Sequence, residues 1–212
     1  MSITEKYNFK VSANQFHQPV SSNYYDSSET VLLELFEKTC IQLKNLNKVH
    51  YSMIELGSNQ CYYSLLFKHI LGKDITTNIM VEPWEPNLRV GQNEFILNEC
   101  AGIFYNNSIG TRWEAVDRLF ETKPITLNQI LNDQNMPYVD VLHCDIDGSE
   151  HHLLETSLSF FEEKRAKHLF LLTHGELPHN FCKNILEKLN YNITMDEPQA
   201  CIGGDGVIIA ES

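Results

Sequence analysis

The densest group of reactive side chains lies in the segment Asp140-Val141-Leu142-His143-Cys144-Asp145-Ile146-Asp147-Gly148-Ser149-Glu150. Asp145, Asp147 and Glu150 fall at or just past the end of an apolar run, which places several carboxylates at the mouth of one cleft. Such crowding is costly unless it serves a purpose. Helix capping accounts for Asp147 or Glu150 in part, because Asp147 before Gly148-Ser149-Glu150 fits an N-terminal cap. Asp145 is harder to explain that way. A later apolar run ends in Thr173-His174-Gly175-Glu176, so His174 is expected to face the same cleft. Asp145 and His174 could then work as general base and orienting partner for a hydroxyl nucleophile. A divalent ion held by Asp145, Asp147 and His174 is a second use of the same groups, and a purely structural histidine at the strand end is a third.

Two other segments belong with this one. The first strand-like run ends in Glu55-Leu56-Gly57-Ser58-Asn59-Gln60-Cys61-Tyr62-Tyr63-Ser64 and leads straight into a helix. Gly57 lets a ligand approach the backbone, and a helix N-terminus offers free N–H groups beyond the carboxyl ends of the strands. An ordinary turn with a capping Ser or Asn is the plain alternative. The second run ends in Val81-Glu82-Pro83-Trp84, and a carboxylate there can accept two hydrogen bonds from a ribose diol. In combination, the glycine turn and the strand-end acid point to an adenosine. Trp84 either stacks near the adenine or covers the sheet edge.

The elements that must position these residues alternate along the chain. Strand-like runs cover 51–55, 77–82, 101–107, 138–145 and 167–174, with helical patterns at about 60–71, 86–97, 126–133, 148–163 and 178–190. Alternation of this kind predicts a parallel sheet with helices on both faces, a doubly wound α/β fold. The last two runs, 191–196 and 206–210, have only the stretch Pro198 to Asp205 between them, too short for a crossover helix, so they should pair antiparallel. Seven strands closed by such a hairpin resemble the Rossmann-like class I methyltransferase architecture more than a dehydrogenase fold. Residues 1–27 are polar and aperiodic and read as an N-terminal arm or lid; a helix begins near Ser28, and residues 28–212 form the one domain.

Composition narrows the function. A net charge of −12 with no basic stripe disfavours a nucleic-acid partner. Six scattered cysteines suggest reduced, buried thiols rather than zinc or disulfides. No apolar run approaches the ~20 residues of a membrane span, and the start MSITEKYNFK lacks a signal-peptide core, so a cytoplasmic protein without membrane association is expected.

In this order and spacing the motifs resemble the FkbM family of S-adenosylmethionine-dependent methyltransferases, many of which methylate hydroxyls of sugars. The family's D-x-G-A-N-x-G-x-Y-S is matched by Glu55, Gly57, Ser58, Asn59, Tyr63 and Ser64, and its E-P-x-P by Glu82-Pro83. Its T-L-D followed by D-x-L-K-x-D-x-E-G-x-E is matched by Thr126-Leu127, Asp140, Leu142, Asp145, Gly148 and Glu150. The chain departs from these patterns at Cys61 for the second glycine, Asn128 for the aspartate, His143 for the lysine, and Thr173, where members often carry an acid.

The resemblance implies an S-adenosylmethionine site. Its methionine end would be ringed by Glu55, Gly57, Ser58 and Ser64, its ribose held by Glu82 and its adenine bordered by Ile109, with Asn59, Tyr63, Pro83 and Asp145 also counted as cofactor-binding. Asp145 would be the first choice of base and His174 the second, with His143, Asp147, His174 and Glu176 toward the acceptor. The implied reaction is O-methylation of a carbohydrate or glycoside, such as a terminal rhamnose, with Tyr24, Tyr25, Phe104, Tyr105 and Trp113 either stacking on sugar or serving as core. Family members also occur joined to glycosyltransferases, so this chain could be one domain of such a protein. An NAD-dependent oxidoreductase lacks its G-x-G-x-x-G here. A methyltransferase fold that has lost activity is the other alternative, made conceivable by Cys61.

Overall fold

The computed structural model describes residues 3–11, 27–109, 122–198 and 205–212. Strands β1 (Tyr51–Leu56) and β6 (Val139–Cys144) are buried along their whole length, and β2 (Thr76–Val81) nearly so. Continuous burial of this kind is what a parallel sheet covered on both faces requires. With β3 (Ile103–Tyr105), β7 (Ala166–His174), β8 (Asn192–Glu197) and β9 (Asp205–Glu211) they make one seven-stranded sheet, ordered β3-β2-β1-β6-β7-β9-β8. The first five strands run parallel, and β9 is antiparallel to both β7 and β8. A separate parallel pair joins β4 (Asn107–Ile109) to β5 (Lys123–Ile125).

Alternate side chains of each strand enter opposite cores. Ile54, Leu56, Ile79, Leu142 and Leu171 pack under α5 (Leu127–Asp133), α6 (Glu150–Thr156), α7 (Leu158–Glu162) and α8 (Glu176–Lys188). Met53, Met80, Val141 and Phe170 pack under α2 (Ser27–Asn45), α3 (Tyr62–Leu71) and α4 (Glu85–Leu97). Residues 3–11, from the segment read as an arm, start with a short helix, α1 (Ile3–Tyr7), and bury Phe9 against the rings of Tyr62 and His69.

The expected helix over 148–163 is two helices, α6 and α7, broken at Ser157, whose hydroxyl accepts the Leu127 N–H at 3.3 Å. The expected strand 101–107 shortens to β3, and the chain then turns out of the main sheet into β4. Tyr24, Tyr25 and Trp113 lie outside the described residues. Among those residues, no helix is long and apolar enough to cross a membrane.

One feature of the topology positions the site. From β1 the chain crosses through α3 to β2 on one side, whereas β6 lies on the other. The order therefore reverses between β1 and β6, and the crevice beyond their carboxyl ends is where open α/β sheets bind ligands.

Candidate functional site

The turn after β1 is tied to both neighbouring strands. Gly57 and Ser58 donate their N–H groups to the Val81 carbonyl at 2.9 and 3.2 Å, and Asp145 donates its N–H to the Leu56 carbonyl at 3.0 Å. The glycine is required twice over: φ at Gly57 is +68°, and a Cβ there would collide with the Asp145 carbonyl oxygen. Asn59 and Cys61 also hold left-handed backbone, with φ of 42° and 59°. Glu55 lies buried beneath the turn and accepts the Ser64 N–H at 3.1 Å, at the start of α3. Burial pushes its carboxyl up to about 8, against the opposing pull of Ser64. Ser58 Oγ and Asn59 Oδ1 are buried with no hydrogen-bond partner among the described residues.

Glu82, just past β2, closes on the same turn. Its two carboxylate oxygens accept the N–H groups of Asn59 and Trp84, each at 3.0 Å, and burial raises its pKa. Asn106, which no sequence motif singles out, donates to the carbonyls of Glu82 and Pro83 at 3.0 Å each and so fixes the strand end. Ile109 is half-buried at the end of β4. The turn, Glu82 and Asp145 thus meet at one edge of the sheet.

Beside them stands the ionisable cluster. His174, at the end of β7, has Nε2 at 3.4 Å from Asp145 Oδ1 and 3.7 Å from Asp147 Oδ1, and Nδ1 at 2.8 Å from Glu150 Oε1. The Glu150 hydrogen bond, aided by the surrounding carboxylates, raises the His174 pKa to about 9 against burial. Burial and the neighbouring acids raise Asp145 to about 6 against the pull of His174, although 41% of its side chain remains open to the cleft. Burial would raise Glu150 too, but the His174 bond and backbone N–H groups outweigh it and hold that carboxyl low. One ligand atom from each of Asp145, Asp147 and His174 lies within 4.8 Å of the others, a spacing compatible with a single divalent ion. An ion there must displace the Nε2 proton; with the proton in place, the imidazolium itself neutralises the carboxylates.

His143 corrects the expectation of an acceptor contact. It is 2% exposed, stacked on Tyr63 with ring centroids 4.0 Å apart and met edge-on by Phe36. Both its ring nitrogens are buried without a partner among the described residues, and burial drives its pKa to about 3. It is a neutral core residue. Tyr63 accordingly serves as the lid of that packing, while Ser64 supplies backbone to Glu55. Glu176 opens α8, exposed, at the same edge as His174. Phe104 and Tyr105 belong to β3, partly buried among the cores, and Tyr105 takes a hydrogen bond from Gln134 at 2.8 Å.

No family model matches the chain. No curated protein matches it either. Solved structures do, at low identity. The METTL16 MTase domain aligns with 99% of this chain and 75% of its own, at 12% identity and a TM-score of 0.62. A human methyltransferase 10 domain containing protein aligns over 99% and 91%, at 11% identity and a TM-score of 0.59. Methyltransferase FkbM from Methylobacillus flagellatus KT aligns over 76% of this chain but 43% of its own, at 17% identity and a TM-score of 0.56. Together with the strand order, these likenesses establish that the chain has the Rossmann-like fold of the methyltransferases.

Proposed function

We propose that the chain is an S-adenosylmethionine-dependent O-methyltransferase whose acceptor is a sugar hydroxyl, as in a terminal deoxyhexose such as rhamnose. The observation that carries the reading is the convergence of the Glu55–Ser64 turn, Glu82 and Asp145 on the crevice between β1 and β6. The residues suit the cofactor. Ser58 Oγ and Asn59 Oδ1 are polar atoms that the protein leaves unbonded at the turn, and each Glu82 oxygen accepts one backbone N–H and keeps a lone pair for a ribose hydroxyl. When bound, S-adenosylmethionine supplies an activated methyl group on a sulfonium.

The remaining work is to align the acceptor oxygen and take its proton. Asp145 is the base, because it opens to the cleft and its pKa of about 6 leaves it ionised at neutral pH. His174, holding a proton up to about 9, is the cation that orients the Asp145 carboxylate rather than a second base. Asp147, exposed beside it, and Glu176 are placed to accept hydrogen bonds from other hydroxyls of the sugar. The partly open carboxylate of Asp145 and the exposed ones of Asp147 and Glu176 at this edge suit a neutral polyol and repel phosphate, which supports a carbohydrate or glycoside over a nucleic acid. The reading places the enzyme in the cytoplasm, alone or joined to a glycosyltransferase.

Calorimetry with S-adenosylhomocysteine, followed by transfer of labelled methyl from S-adenosylmethionine to a panel of methyl glycosides, tests it. The expected result is micromolar binding and label on a glycoside. Label on protein or small amines and never on a glycan overturns the acceptor; binding of NAD in place of S-adenosylhomocysteine overturns the cofactor.

A further inference from the structure

Glu150 has 0% of its side chain exposed, whereas the sequence reads it as one of the carboxylates at the cleft mouth and in part as a charge at a helix N-terminus. The helix-terminus reading fits its surroundings poorly. A single oxygen, Oε1, accepts from two donors on different elements: the Gly148 N–H at 3.1 Å, in the turn that carries Asp145 and Asp147, and His174 Nδ1 at 2.8 Å, at the end of β7. Enclosing a carboxylate costs several kcal/mol unless fixed partners offset it. Here the partners, all on Oε1, are the two segments that hold the reacting groups, while Oε2 is buried with no partner among the described residues.

We propose that Glu150 is a positioning residue of the acceptor site, which fixes the turn after β6 to the His174 ring so that Nε2 faces Asp145 and Asp147. An imidazole has a broad torsion about its second side-chain bond, so an unanchored ring at the strand end samples orientations that turn Nε2 away. Capture of Nδ1 removes that freedom, in the way that carboxylates orient catalytic and metal-binding histidines in general. Gly148, with φ of +92°, lets the turn fold back far enough for its N–H to reach the same oxygen. His174 thereby sits 3.4 Å from the Asp145 carboxylate. The catalytic consequence rests on the methyltransferase reading; the anchoring of the ring does not.

The test compares Glu150→Leu, which keeps volume and removes the acceptor, with Glu150→Gln, which keeps an oxygen able to accept both N–H groups. In protein with ¹⁵N-labelled histidine, the wild type and Glu150→Gln are expected to show a slowly exchanging Nδ1–H proton at His174, and Glu150→Leu to lose it. Affinity for S-adenosylhomocysteine is expected to stay within threefold in both variants. Turnover on the best glycoside of the panel is expected to fall about 100-fold in kcat for Glu150→Leu, with KM for S-adenosylmethionine unchanged. The proposal is overturned if the Nδ1–H signal survives in Glu150→Leu, or if Glu150→Gln loses that signal. It is equally overturned if Glu150→Gln loses cofactor affinity in step with its melting temperature, which would make Glu150 a fold residue only. Should Glu150→Leu not fold, the Glu150→Gln arm decides. A wild type that shows the signal but binds no S-adenosylhomocysteine sinks the cofactor reading and leaves the anchoring intact.

Discussion

His143 and His174 stand on adjacent parallel strands, and they are chemically opposite. His143 pairs across from Phe170 in the register of β6 and β7, so it lies four residues short of the carboxyl edge that His174 reaches. Over that distance the surroundings change from the rings of Tyr63 and Phe36 to the carboxylates of Asp145, Asp147 and Glu150. The first setting drives the imidazole pKa to about 3 and the second lifts it to about 9. What the pair teaches is that a histidine's place along a strand decides its role: inside the sheet it is a neutral packing element, and at the edge it is a cation among acids.

The contrast breaks most sharply in turnover. His174→Leu is expected to lower kcat about 100-fold and Asp145→Asn about 1,000-fold, in the range that general-base groups supply, while His143→Phe stays within twofold. Methyl transfer to the best glycoside measures all three, and equal losses at His143 and His174 would erase the distinction. The pH dependence follows from the same groups. With Asp145 as the proposed base, its carboxyl must be ionised, so kcat/KM is expected to rise with pH to a plateau above about 6. His174 must stay protonated to hold it, so the rate should fall again as pH passes about 9. A profile still rising beyond pH 9 would mean that neutral His174 is the base instead.

How the two histidines differ was only half legible in the sequence, and the reason is physical. The sheet could be read because its strands are buried on both faces, which leaves apolar runs that match β1, β2, β6 and β7 to within a residue or two at either end. The closing hairpin could be read because eight residues cannot hold a crossover. By contrast, β4 and β5 have three residues each, too few to show a period. The pleat puts His143 on the same side as Asp145, and nothing nearby says that Phe36 and Tyr63 will cover the one and not the other. Glu150 carries the chain motif for a helix start, while its partner His174 comes from a strand 24 residues on. Local pattern reports which face a residue takes; depth and long-range partners belong to tertiary packing.

Stability sharpens the comparison from the buried side. His143 holds two ring nitrogens away from water with no partner among the described residues, so His143→Phe is expected to stabilise the fold by about 1–3 kcal/mol at pH 7. Its folded pKa of about 3 lies below the unfolded value of 6.5, so its contribution is present above pH 6.5 and is lost as pH falls toward 3. In that window the wild type should lose up to about 1.4 kcal/mol per pH unit from this group alone. Urea unfolding of wild type and His143→Phe between pH 7 and 4 measures the difference. A gap that stays constant with pH would mean that His143 finds a partner or water in the folded chain.

A last comparison tests whether the packed side of the turn after β1 is as independent of the cleft as His143 is. Cys61 sits where the resembled motif has glycine, in left-handed backbone at φ of 59°, with its thiol wholly buried. Left-handed backbone costs a residue with a Cβ about 1–2 kcal/mol. What offsets this is a notch on α4: a Cβ on Gly91 would collide with Cys61 Sγ, so the thiol fills space that only a glycine leaves open. Gly91→Ala in the wild type is therefore expected to destabilise by about 1–3 kcal/mol through overpacking. In a Cys61→Gly background its nearest neighbour becomes the Asn59 carbonyl oxygen at 3.0 Å, and the cost should drop to about 1 kcal/mol or less. A double-mutant cycle in urea reads the coupling, and S-adenosylhomocysteine affinity of the double variant should remain within threefold of the wild type. Additive costs, or an affinity that tracks the thiol, would place Cys61 in the ligand cleft rather than in the packing behind it.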